Sequence, residues 1–93
     1  MLEKSVVVAS TVGLHARPAT LLAKAAAEAK KNGSAVQIRR EDKEAFVNAA
    51  STLHLLTLGA KFGDTVVVQV TGGDESATLE AIVELIATNH DEG

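Results

Sequence analysis

The amino-acid sequence predicts an α+β fold, a two-layer open-faced sandwich with the element order β-α-β-β-α-β-α. Three observations carry this reading. Short runs rich in β-branched residues recur at residues 5–9, 35–39 and 65–70, with the length and composition of strands. Between and after them stand a stretch of good helix formers and an apolar pattern of helical period. Only the connection around residues 40–44 is a plausible hairpin, so a few helices must cover one face of the sheet while the other meets solvent.

Each element follows from local chemistry. Ser5-Val6-Val7-Val8-Ala9 suits a short buried strand, and Gly13 breaks it. The first helix carries Pro18 in its first turn, where a missing N–H costs nothing, and draws on the Ala, Leu and Lys of residues 20–31. Asn32-Gly33 stops it after about Lys31. Ala35-Val36-Gln37-Ile38-Arg39 alternates apolar and polar residues, the period of a half-exposed strand. The charged run Arg40-Glu41-Asp42-Lys43-Glu44 is expected as a solvated connection, with Ala45-Phe46-Val47 as the returning strand. A short middle helix begins after Ser51, a good N-cap, and ends at Gly59, placed for the left-handed conformation. Thr65–Val70 is the clearest strand, bounded by Gly63-Asp64 and Gly72-Gly73. From Glu75 to about Asn89, Leu79, Ile82, Val83 and Ile86 mark an amphipathic helix, and the tail Asp91-Glu92-Gly93 is expected to fray. No internal repeat is present, and the strand order does not follow from the sequence.

Composition bounds the function classes. Ninety-three residues suffice for one domain, 1–93, with one modest core. With 46% hydrophobic and 23% charged residues the chain is not of the disordered type. Phe46 and Phe62 are the only aromatics, so Val, Leu, Ile and Ala must build the core. The absence of cysteine excludes disulfides, a thiol nucleophile and thiolate metal sites. A net charge of −3 gives no general affinity for nucleic acid or anionic membranes. No apolar run approaches the roughly 20 residues of a membrane span. The run from Val6 to Leu14 is interrupted by Ser10, Thr11 and Gly13, so neither membrane insertion nor a signal peptide is expected. His54 and His90 have no metal-ligand spacing to His15, and no Lys-Ser or Lys-Thr follows Gly72-Gly73 to make a phosphate loop. Lys24 and Lys61 add positive charge of a kind common on any surface.

The stretch Gly13-Leu14-His15-Ala16-Arg17-Pro18-Ala19 places a histidine at the mouth of the first helix. Histidine can be a neutral nucleophile near pH 7, and arginine meets phosphate with a planar fork of donors. The unpaired first N–H groups and the positive end of the dipole favour an anion there. His15, Arg17 and the backbone N–H groups of Ala16 and Arg17 could together carry a phosphoryl group. The spacing alone also fits a loop histidine beside a solvated arginine. In the middle helix Leu55 and Leu58 share one face and Leu53 and Leu56 another. Either the helix is buried all round, or Leu53 and Leu56 form an exposed patch of the kind that marks a docking surface.

The heptapeptide Gly13–Ala19 closely resembles the active-site signature of the HPr family, the histidine-phosphorylatable carriers of the bacterial phosphotransferase sugar-uptake system. A second block, from Asn48 to Gly59, resembles that family's other signature, around its regulatory serine. The two occur in the family order, and the resemblance extends over nearly the whole chain. It implies a four-stranded antiparallel sheet with three helices on one face, and stoichiometric carriage rather than catalysis. It further implies phosphorylation of His15 at Nδ1, a stabilising role for Arg17 and the Ala16 N–H, and regulation at Ser51. The implied partner surface comprises Ala16, Thr20, Thr52, Leu53 and Leu56.

The resemblance implies Enzyme I, charged from phosphoenolpyruvate, as donor and the IIA domains of sugar permeases as acceptors. A serine kinase and transcriptional regulators are the implied partners of Ser51. No metal or organic cofactor is implied, and a cytoplasmic monomer is expected. Two other readings stay open. One is a regulatory module controlled through Ser51; some family paralogues have lost the histidine, whereas this chain keeps His15. The other is a carrier in a nitrogen-related phosphotransfer branch. The chain departs from the family pattern in a slightly longer segment at Glu41–Glu44, in Ala50 where lysine is common, and in Thr52 where a larger apolar residue is common. The last two bear on kinase recognition and partner choice.

Overall fold

The computed structural model describes residues 1–9 and 16–88, with residues 16–18 described in their backbone alone. Its elements run β1 (Leu2–Val7), α1 (Ala16–Lys31), β2 (Ala35–Arg40), β3 (Val47–Asn48), α2 (Thr52–Leu58), β4 (Thr65–Thr71) and α3 (Glu75–Ala87). The four strands form one antiparallel sheet in the order β1-β4-β2-β3. The expected element order and antiparallel sheet are both present.

Alternation along the strands decides which face is covered. Val6 stands opposite Val66, Val36 opposite Val70 and Ile38 opposite Val68, and all six are buried. The intervening row runs through Glu3, Gln69, Gln37 and Asn48 on the other face, where Gln69 Nε2 donates to Glu3 Oε1 at 3.4 Å. Val67, in register between Ser5 and Arg39, is an apolar residue buried on that face, whereas Val7 on the same face is exposed.

The helices pack on the valine-rich face. Ala19, Leu22, Ala23 and Ala26 make the buried stripe of α1, and Leu79, Ile82 and Ile86 that of α3. Alanine at three positions of the α1 stripe removes bulk between helix and sheet, so backbones approach closely. α1 lies against β2, α3 against β1 and β4, and α2 against both β3 and α1.

Three boundaries differ from the sequence reading. β1 is an edge strand over Leu2–Val7 with Val7 exposed, rather than a buried strand over residues 5–9. Val8 leaves the ladder, but its N–H still donates to Asp64 O and its carbonyl accepts from Gly63 N–H. The strand expected at Ala45–Val47 is displaced to Val47–Asn48, because Gln37 and Ile38 fix its register and Phe46 is drawn to the Arg39 guanidinium, 5.4 Å from the ring centre. α3 ends at Ala87 in an extended Thr88, two residues before the expected Asn89, which lies outside the described residues, as does the tail.

Two glycine-bearing turns lock the end of the sheet where β2 begins and β4 ends. Gly72 has φ +84°, and a Cβ there would lie 2.5 Å from Gly33 O, so any side chain would force the turns apart. Ser34 Oγ donates to Gly72 O at 2.8 Å, and Gly72 N–H donates to Glu75 Oε2 at 2.7 Å. The amino group of Met1, 2.8 Å from Glu75 Oε1, and then the Gly72 N–H hold that carboxyl below its usual range.

Candidate functional site

The helix expected to follow the histidine begins one residue after it. Ala16 is the first residue of α1, Arg17 the second and Pro18 the third. His15 itself lies outside the described residues, as do Gly13 and Leu14 of the motif, residues 10–12 before it and the side chain of Arg17. What the structure places is the frame on either side of the histidine: Val8 tied to Gly63 and Asp64, and the start of α1.

The charge pattern at the helix ends separates α1 from α3. At α3 a carboxylate occupies the positive end: Asp74 caps the helix, its Oδ1 accepting from Ala77 N–H at 3.2 Å, and Glu75 stands in the first turn. α1 has no acidic residue in its first turn, while Lys30 and Lys31 complement its negative end. The dipole of the longer helix is therefore not offset by its own side chains where His15 enters, and an arriving anion meets no carboxylate from that turn.

α2 is built as its caps dictate. Ser51 is extended, and its Oγ accepts from His54 N–H at 3.3 Å; Gly59 closes the helix at φ +71°. Leu55 is fully buried, whereas Leu53 is 69% and Leu56 41% exposed. Of the two alternatives for this helix, the exposed pair is the one found, and Leu58 is half-buried against the core. Thr52 is half-buried as the first residue of the helix, Ser51 beside it is likewise half-buried, and Thr20 is exposed on the neighbouring α1. Packing of α1 on α2 brings Thr20's helix beside that of Leu53 and Leu56.

This exposure has a direct consequence. Leu56→Ser should cost under about 1 kcal/mol of stability, whereas Leu55→Ser should cost several, about 3–5 kcal/mol, from lost burial and a stranded hydroxyl. Paired melting curves measure the contrast. A docking role for the patch would show as roughly tenfold weaker association of the Leu56→Ser protein with its partner.

His54 lies on α2 with its side chain exposed, and its carbonyl accepts from Thr57 Oγ1 at 2.7 Å. Among the described residues no group of three His, Cys, Asp or Glu side chains is placed to hold a metal ion. His90 lies outside them. No helix of the described residues is long and apolar enough to cross a membrane. A polar depression of about 280 Å³ lined by Arg40, Glu41, Asp42, Gly63, Asp64 and Thr65 is filled electrostatically by its own walls, with Arg40 Nε 3.1 Å from Asp42 Oδ1. The sequence reading passed over Phe62, a bare aromatic beyond α2; its rarity in a chain with two aromatics was the available signal.

Comparison with known proteins bears on this arrangement. The family model described as the PTS HPr component phosphorylation site matches residues 2–88. The phosphocarrier protein HPr of Streptomyces coelicolor is 38% identical over 92 residues, covering 99% of this chain and 95% of that one. The phosphocarrier protein NPr of Shewanella violacea is 40% identical over 91 residues, covering 98% and 94%. The crystal structure of HPr-C-His from Thermoanaerobacter tengcongensis superposes with a TM-score of 0.84 at 32% identity, covering 100% of this chain and 99% of that one. With its fold matched, a family model matching residues 2–88 and relatives 38% and 40% identical over nearly the whole chain, the chain belongs to the HPr family of phosphocarriers, which carry a phosphoryl group without catalysing its transfer.

Proposed function

We propose that this carrier accepts a phosphoryl group on His15 from phosphorylated Enzyme I and passes it to the IIA domains of sugar permeases, coupling phosphoenolpyruvate to sugar uptake. The observation that supports this most is the start of α1 at Ala16, with no carboxylate in its first turn, directly after the histidine of the motif. In this reading neutral His15 attacks phosphorus, a P–N bond forms as the donor's bond to phosphorus breaks, and the acceptor nucleophile later reverses the exchange. The carrier contributes position and charge: Arg17 and the backbone N–H of Ala16 face the phosphoryl oxygens. Ala16, Thr20, Thr52, Leu53 and Leu56 form the surface that partners meet. The carrier works as a cytoplasmic monomer.

The test is incubation with phosphoenolpyruvate and Enzyme I, followed by intact-mass analysis. One acid-labile, base-stable phosphoryl group per chain is expected; a chain that takes up none overturns the reading. A second reading, a carrier of the nitrogen-related branch, is favoured by the 40% identity to a protein named NPr. Offering the Enzyme I of each branch in parallel separates the two by relative rate.

Ser51 is the proposed regulatory position, with a serine kinase and transcriptional regulators as its partners. Aspartate is also a good N-cap, and a negative group there gains from the dipole, so Ser51→Asp should keep the native fold. It places a charge beside Leu53 and should slow phosphorylation of His15 by a partner with acidic groups at the contact. Stopped-time phosphorylation assays read this; equal rates for variant and parent would leave Ser51 as a cap alone.

A further inference from the structure

Beyond α2 the chain displays one more large apolar group, held in an uncommon way. Phe62 is 61% exposed at the tip of a turn. Lys61 N–H donates to Asp64 Oδ2 at 2.9 Å and Asp64 N–H to Lys61 O at 2.9 Å. Gly63 N–H donates to Val8 O at 3.0 Å, and Val8 N–H to Asp64 O at 2.9 Å. Arg40 braces the turn from behind, its Nη2 3.9 Å from Asp64 Oδ2, and its Nη1 lies where a Cβ added at Gly59, the C-cap of α2, would meet it at 3.8 Å. The ring is thus presented on a loop whose backbone is already ordered, so little conformational freedom remains to be lost when something covers it.

The charges around it are segregated. The chain has twelve carboxylate residues, yet none lies between Glu3 and Glu28 and none between Glu44 and Asp64. Those two stretches supply the first part of α1, all of α2 and the Phe62 turn. Their cations include Arg17, Lys24 and Lys61, in a chain of net charge −3. Asp64, the nearest carboxylate, is turned into its own loop toward Lys61 N–H and Arg40. Lys61 is exposed and forms no ion pair among the described residues. A lone exposed apolar residue needs no explanation, but a braced aromatic beside a lysine with no ion pair among the described residues, on the acid-free part of an acidic chain, fits a partner of opposite character.

We propose that Phe62, with Lys61 beside it, is a specificity-determining anchor that enters an apolar pit rimmed by carboxylates on the phosphoryl donor enzyme. The assignment rests on the carrier reading above and adds a contact outside the two helices. Val8, bonded to Gly63 and Asp64, ties this turn to the chain that runs into the motif. The donor is the occupant named, and a loss of affinity for an acceptor alone on Phe62→Ala would overturn the assignment. Aromatic anchors supply a large share of the binding energy at such contacts, and rim charges govern encounter.

The experiment is steady-state phosphorylation of the whole chain by phosphoenolpyruvate and Enzyme I, with the carrier concentration varied. Phe62→Ala should raise KM about tenfold, leave kcat within about twofold and keep the melting temperature. Lys61→Glu should lower kcat/KM severalfold and flatten its dependence on salt. An unchanged KM for Phe62→Ala, with the parent phosphorylated normally, overturns the anchor and leaves the carrier reading intact. A lowered melting temperature accompanied by a fall in kcat also overturns it, since the ring then serves the fold. A parent chain that takes up no phosphoryl group overturns the carrier reading and the anchor with it.

Discussion

Replacing His15 with alanine should abolish phosphoryl uptake entirely while leaving the melting curve in place. The chain holds three histidines, so mass gain alone does not identify the acceptor. His54 is exposed on α2, but it stands inside the helix with its own N–H committed to Ser51 Oγ and its carbonyl to Thr57. His15 instead precedes the first residue of α1, at the end of the helix where unpaired donors and the dipole favour added negative charge. Removing the nucleophile removes the covalent step. The fold should survive because the buried stripe of α1 starts at Ala19 and continues through Ala26. The comparison needs the His15→Ala and His54→Ala proteins side by side, each incubated with phosphoenolpyruvate and Enzyme I. Label retained in the first or lost in the second would refute the assignment of His15.

Arg17→Ala should slow transfer by about one to two orders of magnitude in both directions, again without unfolding. Charge-assisted hydrogen bonds contribute roughly 1.5–3 kcal/mol, and that energy divided by the thermal scale gives the rate factor. Arg17 is the second residue of α1, in a first turn with no acidic residue to compete for its guanidinium. Arg17→Lys should recover part of the loss, since an ammonium keeps the charge but not the planar fork. Rapid-quench measurement of phosphorylation and of back-transfer reads both variants. Parent-like rates for Arg17→Ala would assign the side chain to solvent.

What could be read from the chain alone follows the reach of the interactions involved. Ser51 and Gly59 bound α2 because caps act within a single turn, and Asn32-Gly33 stops α1 for the same reason: Ser34 N–H returns to Ala29 O across Gly33 at φ +89°. The split of the α2 leucines between core and surface was legible from spacing, though only packing chose between the two alternatives. β3 was misplaced because its position is set across the sheet, where Asn48 pairs with Gln37, and by the attraction of Phe46 to Arg39. β1 looked buried because three consecutive valines hide the alternation that leaves Val7 outside. Of the site, the motif announced itself through its residue types. The Phe62 turn did not, since its ordering depends on Val8 and Arg40, both distant in the chain.

The strand order also governs when a working molecule can come into being. β4 pairs with β1 on one side and β2 on the other, whereas β2 and β3 share two residue pairs. A chain emerging from the ribosome therefore holds Leu2–Val7 without a neighbour until Thr65–Thr71 has been made. Joining Leu2 to Val70 closes a loop that spans most of the polypeptide, an entropic cost met in one late step and a source of slow folding. Val8 receives its bonds from Gly63 and Asp64 in that same step, so the segment bearing the histidine is framed only at the end. A nascent or clipped chain without β4 therefore lacks both the neighbour of β1 and the bonds that hold Val8 ahead of the motif.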